Sequence, residues 1–115
     1  MPARRLALLL VPLLPALAGC GPDEGQATLC ARVVRALEGD GVRIVGREQA
    51  ESDRAAVVIR YRVGGADAGE KRVVCRFAGA GMDAGRLRLT GVRRNDGSAL
   101  SYLSLRQLRA RLNLE

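Results

Sequence analysis

Two stretches of the chain alternate arginine with apolar residues, and that alternation limits what it can fold into. Across residues 56–63, Val57, Ile59, Tyr61 and Val63 interleave with Val58, Arg60 and Arg62. Across 71–78, Val73, Cys75 and Phe77 interleave with Arg72, Val74 and Arg76. Successive side chains of a strand point to opposite faces, so a period of two describes strands with one buried and one wet face. Residues 86–92 repeat the pattern, with Leu87 and Leu89 inward and Arg86 and Arg88 outward. Residues 42–47 form a shorter candidate, with Val42 and Ile44 on one side and Arg43 and Val45 on the other. The glycine-rich stretches 64–69 and 79–85 read as loops, and Arg93-Arg94-Asn95-Asp96-Gly97 as a turn.

Two segments change the period. In residues 28–38, Leu29, Cys30, Val33, Val34 and Leu37 fall on a helical grid, with Thr28 as the expected N-cap and Gly39-Asp40-Gly41 as the stop. In residues 101–112, Leu105, Leu108 and Leu112 share a stripe while Arg106, Arg109 and Arg111 lie off it. Ser104 and Gln107 make an S-x-x-Q pattern, so either Ser101 or Ser104 can open this helix. The expected fold is α+β with two layers. A four-stranded antiparallel meander carries an N-terminal and a C-terminal helix on one face, within a single domain over 28–115.

The N-terminus reads as an address. Arg4 and Arg5 precede an uncharged apolar stretch, residues 6–18, which closes on Leu17-Ala18-Gly19-Cys20. Thirteen residues make about 20 Å of helix, short of a hydrocarbon core of about 30 Å. Pro12 and Pro15 weaken that helix further. A basic start, a short apolar run and small residues at its end describe an export signal. The closing tetrad resembles the lipobox of bacterial lipoproteins, a likeness confined to residues 1–20. The resemblance implies that the Cys20 thiol receives a diacylglyceryl group and that the chain is cut between Gly19 and Cys20. Residues 1–19 are then the removed signal, and 20–27, polar and rich in breakers, a lipidated tether. Membrane lipid held through Cys20 is the first implied partner. Gly21 is not the aspartate that favours retention at the inner membrane in that family, so the outer membrane is the expected address, with the domain facing the periplasm.

The chain has three cysteines. With Cys20 lipidated, Cys30 and Cys75 remain, in a compartment that oxidises thiols. Cys30 lies on the apolar stripe of the first helix and Cys75 on the inward side of a strand. The two sides face each other in the expected fold, so a disulfide would staple helix to sheet. Without histidine, two cysteines make no usual zinc shell, and no C-x-x-C marks a redox pair. No metal and no cofactor beyond the covalent lipid is expected.

Charge is uneven. Residues 20–53 carry four arginines and seven acids, and residues 54–115 carry 13 basic and five acidic residues. Arg60, Arg62, Arg72, Arg76, Arg86 and Arg88 all fall on outward strand positions, which makes one arginine-rich face the candidate anion-binding site. Guanidinium forks suit phosphate and carboxylate oxygens. At this address the ligands are lipid headgroups, lipopolysaccharide phosphates, cell-wall carboxylates or an acidic partner protein. An open sheet must also keep one face wet, and charge there blocks aggregation, so simple solvation accounts for the same residues. Location and a total of three aromatic residues oppose nucleic acid.

No catalytic constellation is expected. Ser98, Ser101 and Ser104 have no histidine to activate them, and Asp67, Glu70, Asp83 and Asp96 fall in loops and turns. Gly79-Ala80-Gly81-Met82-Asp83-Ala84 matches a dinucleotide fingerprint only on paper, because strand periodicity follows it where a helix is required. The expected function is a non-enzymatic binding or envelope-support module. The alternative is an enzyme or inhibitor acting on cell-wall components.

Overall fold

A computed structural model describes residues 21–65 and 67–114. The signal segment and its cleavage point, Gly19 and Cys20, lie outside the described residues.

Helix α1 spans Glu24–Glu38, four residues longer at its start than the apolar grid implies. Its N-cap is Asp23, whose Oδ1 accepts from the backbone N–H of Gly25 at 2.8 Å and of Gln26 at 3.1 Å. Pro22 fits just ahead of that cap, and Glu24 places an acid in the first turn, where the helix dipole favours it. Residues 24–27 are thus helix rather than tether, with Gln26 and Ala27 buried. The helix stops at Gly39, whose φ of +82° suits glycine and whose N–H bonds to the Arg35 carbonyl.

The strands are β1 Val42–Gln49, β2 Ala56–Val63, β3 Lys71–Phe77 and β4 Leu89–Arg93. They form one antiparallel sheet in the order β1-β2-β3-β4, the expected meander. A register shift between Ile44 and Gly46 leaves Val45 out of the ladder on the edge strand.

The last strand starts later than the alternation implies. Ala84–Leu87 is a 3-10 helix opened by Asp83, whose side chain accepts from the Gly85 N–H. Leu87 is 41% exposed, and only Leu89 turns fully inward. Helix α2 follows at Tyr102–Arg111, capped by Ser101 rather than Ser104: Ser101 Oγ accepts from the Ser104 N–H at 3.1 Å. Leu108 is buried on its inner stripe, with Leu105 and Leu112 packed partly against the core.

α1 crosses β1, β2 and β3, and α2 packs on β4. Cys30 and Cys75 are both fully buried and joined by a disulfide, with their Cα atoms 5.7 Å apart. The bond ties the helix layer to the sheet layer at the centre of the core.

Candidate functional site

The open face of the sheet is built by cross-strand register. Arg43 pairs with Arg62, and Arg60 with Arg72. Glu48, Val58, Val74 and Arg93 form one row across all four strands. Arg76 sits between Ala56 and Gly91. Side chains directly opposite in register share a face, so the structure brings Arg60, Arg62, Arg72 and Arg76 together as the alternation implied. It adds Arg43, through its pairing with Arg62, and Arg93, through its pairing with Val74. The register supplies them, through pairing of β1 and β4 with the inner strands.

Arg86 is not on this face. It lies in the 3-10 helix and turns to α1, where its Nη1 donates to Asp23 Oδ1 at 3.0 Å and Oδ2 at 3.1 Å. Arg88 is exposed between the 3-10 helix and β4, outside any strand. The alternation misplaced both because Asp83 caps a helical turn where strand was expected.

Several of the face arginines are already neutralised. Arg60 is bonded to Glu48 and to Glu70, and the hydrogen bond to Glu48 chiefly raises its pKa. Arg76 Nε lies 3.0 Å from Asp53. Arg62 donates to the Ala68 carbonyl and Arg93 to the Gly97 carbonyl. Among the described residues, Arg43 and Arg72 make no ion pair. The face is therefore a mixed lattice in which Arg43, Arg62, Arg72 and Arg93 keep charge not offset by a bonded carboxylate.

A shallow recess of about 400 Å³ lies on this face. Ala56, Val58 and Val74 contribute apolar surface to it, Arg72, Arg76 and Arg93 line it with basic groups, and Glu48, Glu51 and Asp53 with acids. Val58, an outward position, is nonetheless only 5% exposed. The recess sets three carboxylates among three guanidinium groups over a small apolar floor.

A second recess, of about 270 Å³, lies at the far end of the strands, lined in part by Leu37, Glu38, Tyr61 and Lys71. Tyr61 donates to Glu38 Oε2 at 2.6 Å, and Lys71 Nζ lies 3.6 Å from the same oxygen. Burial and the neighbouring carboxylate push the Tyr61 hydroxyl well above its ordinary pKa, so it stays a neutral donor. The alternation placed Tyr61 inward but carried no sign of this partner.

The loop acids have local structural roles. Asp83 and Asp96 each accept from backbone N–H groups two residues on, and Glu70 holds Arg60. Hydrogen bonding by Ser98 holds the Asp96 carboxyl below its usual range. Ser101 and Ser104 bond each other at the start of α2. Among the described residues, no cluster of three or more acidic or cysteine side chains is placed to hold a metal ion, and no helix is long and apolar enough to cross a membrane.

Fold and site together define a small disulfide-stapled α+β domain with a basic open sheet face. No protein-family model, curated protein or solved structure matches the chain.

Proposed function

We propose that this chain is a lipid-anchored protein of the bacterial envelope whose domain acts as a non-enzymatic binding module facing the periplasm, with the outer membrane as its favoured address. The observation that carries this reading is Leu17-Ala18-Gly19-Cys20 standing three residues before the cap of a disulfide-stapled domain. A buried disulfide suits an exported chain, since reducing compartments keep thiols apart. An anionic envelope component is the ligand class, taken on the open sheet face by Arg43, Arg62, Arg72 and Arg93.

The test of the anchor is Cys20→Ala. That variant should accumulate as an unlipidated precursor and leave the fraction in which the native protein is found. A variant that distributes between membranes as the native protein does would overturn the anchor.

A further inference from the structure

The two ends of the sheet lie at different distances from the start of α1. α1 starts where β1 and β3 end and β4 begins. There Glu24 lies 3.9 Å from Arg47, Asp23 holds Arg86, and Gln26 Nε2 donates to the carbonyls of Gly79 at 3.0 Å and Arg86 at 2.8 Å. The other end of α1 meets Tyr61 and Lys71 through Glu38. Three residues lead from Cys20 to Asp23, and an extended chain of that length spans about 10 Å. A lipid on Cys20 therefore keeps the β3–β4 loop, and not the β2–β3 loop, beside the bilayer.

The tip of the β3–β4 loop is suited to an interface. From Gly79 to Gly85 the one charged residue is Asp83, and its carboxylate is occupied by the Gly85 N–H at 2.8 Å. Met82 is fully exposed, at the tip of a turn closed by the Asp83 N–H on the Ala80 carbonyl. Leu87 is partly exposed and Arg88 exposed just beyond it. Gln26 grips both ends of the loop. An exposed apolar residue among small neighbours, with a cation behind it, matches the layering of a bilayer interface.

We propose that this loop is a second, non-covalent membrane contact, in which Met82 enters the boundary between headgroups and acyl chains and Arg88 meets lipid phosphate. The contact rests on the Cys20 anchor proposed above. It also directs the strands away from the bilayer, so the arginine-bearing sheet face stands as a side wall.

The chain has no tryptophan, so one introduced residue reports alone. Met82→Trp and Gly65→Trp would be made in the full lipidated protein, the second in the β2–β3 loop where the structure leaves open space around Gly65. Each would be placed in vesicles of phosphatidylethanolamine and phosphatidylglycerol, with and without brominated acyl chains. Tryptophan favours interfaces equally at both sites, so the comparison isolates position. The expected result is emission shifted to shorter wavelength and quenched by bromine for Met82→Trp alone. Equal quenching at both sites, or none at position 82 in protein that carries its acyl chains and stays with the vesicles, would overturn the loop contact and leave the anchor standing. Protein whose Cys20 carries no acyl group would overturn the anchor, and the loop contact with it.

Discussion

Arg86 places one guanidinium nitrogen 3.0 and 3.1 Å from the two carboxylate oxygens of Asp23, the residue that caps α1. A basic side chain from the β3–β4 connection thus secures the first turn of the helix, 63 residues away in sequence. The Gln26 N–H holds the Asp23 carboxyl below its usual value of 3.8, with further help from Arg86 and the Gly25 N–H and against some loss of solvation.

Asp23→Ala should lower stability by about 1 kcal/mol, the typical worth of such a cap. A carboxyl whose pKa falls on folding stabilises the fold above its unfolded pKa and loses that contribution as pH falls through the folded value. The melting-temperature gap between the native protein and Asp23→Asn should therefore be full near neutral pH and close once pH drops below the ordinary carboxylate range. A gap that persists unchanged below that range would show that the charge on Asp23 contributes nothing.

The disulfide closes a separation of 45 residues between Cys30 and Cys75. Its removal by Cys30→Ala with Cys75→Ala should cost about 4 kcal/mol in the chain-entropy account. Urea unfolding of the two forms reads this directly. An unchanged midpoint would mean that the two layers hold together without the staple.

Gln26 is 1% exposed and its amide donates to two carbonyls of the β3–β4 connection. Gln26→Leu keeps the volume but strands both carbonyls, at about 1–3 kcal/mol for a buried polar group left without a partner. Hydrogen exchange should accelerate across residues 79–88 more than in the β2–β3 loop. Exchange unaltered in 79–88 would mean that the loop is held by other contacts.

Charge reversals should separate the two kinds of arginine on the open face. Arg43→Glu with Arg72→Glu removes cations that have no bonded carboxylate, and should weaken co-sedimentation with lipopolysaccharide by about tenfold or more. Arg60→Glu with Arg76→Glu would set new acids beside Glu48, Glu70 and Asp53, and should chiefly lower the melting temperature. Equal retention of binding by both pairs would leave the face with a solvating role only.

Local periodicity made the sheet legible. Val57, Ile59, Tyr61, Val73 and Cys75 turn inward as the alternation requires, and the inward side of Cys75 met the apolar stripe of Cys30. The departures sit where polar side chains take over from periodicity. Asp23 starts α1 at Glu24, five residues before the first stripe position Leu29, because capping depends on one oxygen and two N–H groups rather than on hydrophobic spacing. Asp83 likewise turns residues 84–87 into a 3-10 helix, which removes Arg86 and Arg88 from the strand face. Alternation already set Arg43 opposite Val42 and Ile44, but only register joined its strand to that face, and Arg93 entered it because β4 runs on into the expected turn.

The central claim is an acylated, stapled domain, and the intact mass of the protein purified from envelopes tests it most directly. The account predicts a chain of residues 20–115 that carries a diacylglyceryl group on Cys20, with Cys30 and Cys75 joined in one non-reduced peptide pair. A chain that retains residues 1–19, or a Cys20 recovered as a free thiol, would contradict it.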